Sequence, residues 1–475
     1  MAANGPASDA APATQPAAGA ASAHEADEPQ PVSETGPAAS AAGGAVDATT
    51  PAAPAADEMH LDDRVEVNED EDHDASEAEE EPGQDENAAQ RNTTVLLAAR
   101  PAPGKPVTLE HFQVVQTGPE QEAPLPNGSI RIQLLCVSVD PYMRCRFNAS
   151  TGADYMGPFQ PGAPICSGGA ARVLESKTDK FAAGDLVVSQ MHLPWASKQV
   201  LNPATVPDLD KIPDDIDPLL SCGPLGMAGL SAYHGVEQSK PEAGQVCVLS
   251  SCAGGVGSVA GQLFRAKGLK VIGICGSIAK CEWTINQGAA DIALCYRDED
   301  FVQQLNEHCK AHLPELYFDN VGGHVSEAVI RELAPRARIV VCGQISSYDQ
   351  DTTRDDYEYP DPLPADVAEI VKARDISRER FFVGWYTKQH GEALRNMQAM
   401  VDSGKLKVPV SWVDGLAFAP TAFIALMRGG HSGKALVKCL TTDSTPSWSS
   451  SAAESDPPSK RQKVSEAESA TGEPE

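Results

Sequence analysis

Hydrophobic and polar positions change their period along this chain. From Val95 onward, short apolar runs are broken by turn residues. Ile130-Arg131-Ile132-Gln133-Leu134-Leu135-Cys136-Val137 alternates at its start and then turns apolar, which predicts a half-buried strand. Gly184-Asp185 precedes Leu186-Val187-Val188 as a turn before a strand. Short strands separated by such turns predict a compact β-rich barrel. After about residue 217 the period lengthens. Val246 to Ser250 reads as a buried strand, Val256 to Lys267 as a helix, Val271 to Cys275 as a strand and Lys280 to Gln287 as a helix. Ile292–Leu294, Leu316–Asp319 and Ile339–Cys342 are further short apolar runs with helical stretches between them. Strand and helix in alternation predict an α/β unit, a parallel sheet with right-handed crossovers.

Both ends lack this patterning. Of the total net charge of −30 over 475 residues, residues 1–90 carry 22 acidic groups against one base, Arg64. Residues 441–475 carry seven acids against three bases, which leaves the central 350 residues near neutrality at −5. Acidic, Ala/Pro/Ser-rich segments bury too little apolar surface to offset their ordering entropy, so both tails are expected to be disordered. A nucleic-acid binder needs a basic face, and no part of the chain has the surplus. The start has neither the basic and apolar regions of a secretory signal nor the arginines of a transit peptide. The uncharged stretch Gln245–Phe264 is long enough for a membrane span, but its glycines, serines and Gln262 favour a strand, a turn and a helix start. A compact cluster, Lys460, Arg461 and Lys463, follows two prolines and adds nuclear entry to an otherwise cytoplasmic expectation. The twelve cysteines form no CxxC pair and sit mostly in apolar runs. They are expected to be reduced and buried, with no metal quartet.

Chemistry first shows between the first strand and helix of the α/β region, at Ser251-Cys252-Ala253-Gly254-Gly255-Val256-Gly257-Ser258. A glycine turn lets backbone N–H groups approach a pyrophosphate, and the helix N-terminus favours its charge. The alternative use of such glycines is helix–strand packing alone. The strand before, the helix after and the second strand at the expected distance favour a dinucleotide. After that second strand an NAD site carries an acidic residue for the ribose hydroxyl. Here the chain reads Gly276-Ser277-Ile278-Ala279-Lys280, with Tyr296 after the third strand. A hydroxyl and an ammonium suit a 2′-phosphate, so NADP(H) is the expected cofactor.

Several separated blocks then carry a family resemblance. They are Ser138-Val139-Asp140-Pro141-Tyr142-Met143-Arg144-Cys145-Arg146, the Gly254 turn, Tyr317-Phe318-Asp319-Asn320-Val321-Gly322-Gly323, Cys342-Gly343-Gln344-Ile345-Ser346-Ser347-Tyr348 and Arg378-Glu379-Arg380-Phe381. From about Arg91 to Leu440 the chain resembles the zinc-independent medium-chain dehydrogenase/reductases. Within them it resembles the NADP-dependent 2-alkenal and leukotriene B4 dehydrogenase group, which includes the prostaglandin reductases. The resemblance implies a Rossmann doubly wound domain over 217–404. It implies a β-rich GroES-like catalytic domain from 91–216 and the return 405–440, with tails at 1–90 and 441–475.

It also implies site residues. Gly254, Gly255, Val256 and Gly257 would line the pyrophosphate, and Lys280 and Tyr296 would meet the 2′-phosphate. Asn320 and the loop Cys342, Gly343, Gln344, Ile345, Ser346, Ser347 and Tyr348 would meet the cofactor. Phe381, Phe382 and Val383 would flank the nicotinamide. His431, in Gly430-His431-Ser432-Gly433-Lys434, stands where the group has an Asn. His192 and Leu193, before Pro194-Trp195, replace an aromatic pair at the substrate. Tyr142 and Tyr348 would stand beside the substrate carbonyl as catalytic groups, and Arg144 is read as structural.

The implied reaction is NADPH-dependent reduction of the C=C bond of an α,β-unsaturated ketone or aldehyde. Hydride addition at the β-carbon leaves an enolate. A neutral phenol, with an ordinary pKa near 10, can stabilise that oxyanion without a metal. A quinone reductase on the same fold and a non-catalytic NADPH-binding protein remain as alternatives. The partner expected is a small enone or enal, with no nucleic acid or membrane, and the family admits monomers and homodimers.

Overall fold

The computed structural model describes residues 92–118, 123–152, 156–213 and 216–439. The expected tails, the Lys460–Lys463 cluster and the acidic segment lie outside the described residues.

The β-rich part begins with β1 (Asn92–Leu97) and β2 (Phe112–Thr117), an antiparallel pair. The barrel sheet follows: β3 (Ile130–Ser138), the one-turn helix α1 (Met143–Arg146), β4 (Cys166–Ser176), β5 (Leu186–Pro194), β6 (Lys198–Leu201) and β7 (Asp210–Lys211). After α2 (Pro218–Cys222) and α3 (Met227–Gln238) comes a βα alternation. Its members are β8 (Val246–Ser250), α4 (Gly257–Ala266), β9 (Lys270–Cys275), α5 (Ile278–Asn286), β10 (Ile292–Cys295), α6 (Phe301–Ala311), β11 (Leu316–Asp319), α7 (Gly323–Glu332), β12 (Arg338–Val341), α8 (Ala365–Ala373) and β13 (Ser377–Arg380). The chain closes with α9 (His390–Asp402), β14 (Val410–Asp414), α10 (Ala419–Met427) and β15 (Lys434–Lys438).

The six strands of the α/β part are all parallel, in the order β10-β9-β8-β11-β12-β13. Successive strands run outward from β8 in one direction and then resume on its other side at β11. That reversal opens a crevice at the carboxyl ends, where doubly wound sheets bind ligands. β8 and β11 are buried along their whole length, as strands covered by helices on both faces must be.

The barrel sheet runs β14-β15-β3-β4-β5-β7, with β6 also on β3. β15 pairs antiparallel with β3, Leu436 opposite Ser138, so the chain's last described strand completes the sheet begun near its start. Phe147 anchors the core by stacking on Phe423 at 5.3 Å and meeting Phe112 edge-on at 5.2 Å. The expected half-buried β3 is corrected here: all but Gln133 of its nine residues are buried. Its second face is covered too, with Cys136 packed among Ile212, Ile216 and Cys222 at the entry to the α/β part. Arg131, polar in the sequence pattern, is held by Glu175 at 3.5 Å and donates to the Ala123 carbonyl at 2.7 Å.

All twelve cysteines are free thiols, eight buried and four half-buried. Among the described residues no helix is long and apolar enough to cross a membrane.

Candidate active site

A cavity of about 500 Å³ lies along the carboxyl ends of the parallel strands and reaches the barrel at Val139–Tyr142. Its floor is built by the turn between β8 and α4. Ser251 takes a left-handed backbone (φ 53°), and Gly257 begins α4 so close behind it that a Cβ there would overlap the Ser251 carbonyl oxygen. Only glycine permits that approach. Gly254, Gly255, Val256 and Gly257 all line the cavity. The turn is roofed from the barrel side: Gly433 N–H donates to the Ala253 carbonyl at 2.8 Å, bringing His431 over the glycines.

Lys434, the next residue, is buried and anchors this roof. Its Nζ donates to the Val139 carbonyl (2.8 Å) and to Asp140 Oδ1 (2.9 Å). Ser138 Oγ donates to the other Asp140 oxygen. Among the described residues Asp140 is the sole carboxylate lining the cavity, and Lys434 neutralises it.

Electrostatics separate the two ends. At the end formed by β9 and β10 the lining includes Lys280, Tyr296 and Arg297, with Arg428 nearby from the turn after α10. Ser277 caps α5 by accepting from the Lys280 amide at 3.3 Å, and Lys280 Nζ donates to the Gly429 carbonyl at 2.8 Å. Burial, with the Arg297 charge adding to it, holds the Lys280 ammonium below its usual pKa despite the opposing Cys275. A bound anion would relieve both effects. His431 is held down to about 4, by burial first and then by Lys280 and Lys434. Its imidazole is therefore neutral near pH 7, and its Nδ1 is buried without a hydrogen-bond partner. An orphaned polar atom facing a glycine turn and a cation-rich end fits a dinucleotide phosphate. NADP(H) therefore fits the residues present.

Most residues expected at the site are brought together. Tyr142, Lys280, Tyr296, Asn320, Cys342, Ile345, Ser346, Phe381, Phe382, Val383 and His431 line the cavity with the glycine turn. Asn320 is aimed by its Nδ2, which donates to the Ser250 carbonyl at 2.8 Å. Beneath it Asp319 accepts from Ser250, Tyr317 and Ser326 hydroxyls and fixes the start of the β11–α7 turn.

Other expected residues do not reach the lining. Gly343, Gln344, Ser347 and Tyr348 stand behind it: Gln344 Oε1 accepts from the Asp361 amide at 2.8 Å, and Ser347 Oγ donates to the Gln344 carbonyl at 2.8 Å. The Tyr348 hydroxyl approaches Gly343 so closely that a Cβ there would lie 3.0 Å away. Leu193, expected at the substrate, is 0% exposed in the barrel core. His192 pairs instead with Asp208, Nδ1 to Oδ1 at 2.8 Å. The reason is a β-bulge. Ser167 faces Leu193 and Gly169 faces Ser189, so Gln190, Met191 and His192 stand opposite Gly168 alone. Asp208 accepts from the Gln190 and Met191 amides, and Ser189 Oγ accepts from the His192 amide, satisfying the freed backbone donors. Burial pushes the Asp208 carboxyl up, but hydrogen bonds from His192, Ser189 and Gln190 outweigh it and hold it below the usual range. The bulge delivers Met191 to the cavity.

Sequence reasoning missed Met191, Met227, Met427, Tyr359, Arg297, Arg428 and His324, all of which line the cavity. Arg297 had a signal, a base at a strand end beside Tyr296. The methionines had none. Among the described residues no group of three His, Cys, Asp or Glu is arranged to hold a metal.

This fold and site define a two-domain nicotinamide-dependent oxidoreductase. Residues 94–209 match the family model for the N-terminal domain of oxidoreductases, and 255–362 match the model for zinc-binding dehydrogenases. The NADPH-dependent curcumin reductase of Escherichia coli is 33% identical over 357 residues, covering 74% of this chain and 99% of that protein. Prostaglandin reductase 1 of Bos taurus is 33% identical over 321 residues, covering 66% of this chain and 91% of that one. The crystal structure of CurA from Vibrio vulnificus in complex with NADPH superposes with a TM-score of 0.64 at 29% identity, covering 74% of this chain and 99% of that one. The chain belongs to the zinc-independent medium-chain dehydrogenase/reductases.

Proposed function

We propose that the protein is an NADPH-dependent reductase of the C=C bond in α,β-unsaturated ketones and aldehydes, of the 2-alkenal and 15-oxoprostaglandin reductase type. The observation that carries this reading is Tyr142 in the cavity wall, facing the same space as Phe381, Phe382 and Val383. The curcumin and prostaglandin reductases among its relatives support it.

In this reading residues 217–404 hold the cofactor, and 91–216 with 405–440 close over the substrate. The glycine turn and the α4 N-terminus receive the pyrophosphate, with His431 donating to it from the roof. Lys280 and Arg297 bind the 2′-phosphate. When bound there, NADPH would supply the hydride that adds to the β-carbon. The Tyr142 hydroxyl donates to the carbonyl oxygen as charge develops there, and Tyr348 supports that donor from behind the lining at Gly343. A fixed donor in a water-poor site needs little reorganisation during the reaction. Met191, Met227 and Met427 give the pocket adaptable apolar walls, suited to alkyl chains of differing shape.

The test is the initial rate of NADPH and NADH oxidation with a medium-length 2-alkenal, 15-oxoprostaglandin and a simple quinone. Enone turnover with NADPH preferred supports the reading. Turnover of the quinone alone replaces it with a quinone reductase. NADPH binding without turnover of any of the three replaces it with a binding protein.

A further inference from the structure

Tyr142 and Tyr348 belong to different layers of the molecule, one on the barrel side and one on the loop after β12. A donor misplaced by about 1 Å forfeits much of its catalytic effect, so their relative position must be set by something rigid. We infer that a clasp between Arg144 and Asp349 positions Tyr348 against Tyr142. The inference rests on the enone-reductase reading above.

Arg144 stands two residues after Tyr142, and Asp349 directly follows Tyr348. They are 205 residues apart in sequence. The Arg144 side chain is 1% exposed, and each edge of its guanidinium has a partner. Nη1 donates to Asn148 Oδ1 at 2.8 Å, and Nη2 to the Lys105 carbonyl at 2.6 Å. Both acceptors belong to the barrel side. Because the guanidinium is a planar fork, those two bonds fix the direction of the third. That third bond runs from Nε to Asp349 Oδ1 at 2.5 Å.

The loop's anchors change sides at this point. Up to Ser347 they lie within the nucleotide-binding part: the Ser346 amide and hydroxyl donate to the Val321 carbonyl at 3.0 and 2.6 Å. Past Tyr348 they reach the barrel. Asp349 meets Arg144, Thr352 Oγ1 donates to the Ser150 carbonyl at 2.5 Å, and the Tyr357 ring lies flush on Gly152, where a Cβ would overlap it. Tyr348 is thus the residue at the crossing. A buried guanidinium is costly to leave unpaired, so the clasp holds whenever the loop is seated.

Asp349 is the residue to alter, because its side chain is 49% exposed and its removal leaves no cavity in the core. In the full chain, Asp349→Ala should lower kcat for a 2-alkenal roughly 10- to 100-fold. NADPH affinity, read by cofactor fluorescence, should stay as in the parent, while the thermal midpoint falls because the buried Arg144 loses its carboxylate. Asp349→Glu, which keeps the charge, should recover most of the rate. The decisive measurement is a double-mutant cycle with Tyr348→Phe. If Asp349 acts through Tyr348, Asp349→Ala adds little once the hydroxyl is gone. Full additivity of the two losses, or no loss from Asp349→Ala, overturns the clasp while leaving the enone-reductase reading intact. A fall in NADPH affinity to match the loss of rate makes Asp349 merely structural and also overturns it. Unchanged enone turnover in Tyr348→Phe removes the tyrosine's role and the clasp with it.

Discussion

Lys280 and Arg297 both line the β9–β10 end of the cavity, and Lys280 feels the charge of Arg297. Bringing two cations together is unfavourable unless an anion joins them. A charge-assisted hydrogen bond to phosphate contributes about 1.5–3 kcal/mol. Lys280→Ala and Arg297→Ala should each raise KM for NADPH roughly 10- to 100-fold by that magnitude. KM for NADH, which has no 2′-phosphate, should move little. An equal rise for both cofactors would show that the two residues do not read the phosphate. Tyr142→Phe keeps the ring and removes the donor. It should lower kcat for enones by roughly 10²–10³-fold, the usual effect of removing one oxyanion donor. Quinone reduction, if present, should be spared. Lys280 was legible because it fills a position where an acid was missing. Tyr142 was legible only through the family motif, since a buried tyrosine is otherwise most often a core ring.

Among the elements, the turn and the roof depend on backbone contacts that tolerate no side chain. Gly257→Ala would drive its methyl into the Ser251 carbonyl and push α4 away from β8. NADPH binding by titration calorimetry should be lost, even where the circular dichroism spectrum is kept. Lys434 joins β15 to the segment after β3, with the Lys434 and Asp140 side chains 3% and 7% exposed. Lys434→Met strands a buried carboxylate and should cost about 3–5 kcal/mol of unfolding free energy in urea. A loss below about 1 kcal/mol would show that water replaces the ammonium. The strands β8 to β12 and the helices α4 and α5 were readable to within a residue or two, because each is a short apolar run or one amphipathic period. The bulge in β5 was not. His192-Leu193 stood out as a departure at the substrate loop, yet three residues of β5 share one position opposite Gly168, and Met191 is the one that reaches the cavity. Pairing register is a property of two strands, and neither strand's sequence contains it.

At the scale of the whole molecule, buried neutral histidines make the fold sensitive to acid. His431 is held down to about 4, and His234, buried and beside His390, is also held down to about 4. An unfolded histidine titrates near 6.5. The folded pKa lies below the unfolded one, so the unfolded state binds more protons between those values. Stability is therefore full above about pH 6.5 and falls as the pH drops toward 4. The thermal midpoint should be level from about pH 8 to 7 and decline steadily below about 6.5. A midpoint still level at about pH 5 would show that these rings are not held neutral.

What the sequence determined by itself is the local grammar: two textures of periodicity, the glycine turn, the absence of an acid after β9, and the motif blocks that carry the family. Each of these is a statement about residues close together in the chain, where spacing alone dictates conformation. Tertiary structure decided what meets across the cleft. It put the Gly433 turn on the Ala253 carbonyl, paired Lys434 with Asp140, moved Leu193 into the core and Met191 into the cavity, and set Asp349 against Arg144. Those contacts join residues tens to hundreds of positions apart. Their partners are chosen by the packing of two sheets against each other, and no local pattern encodes that choice.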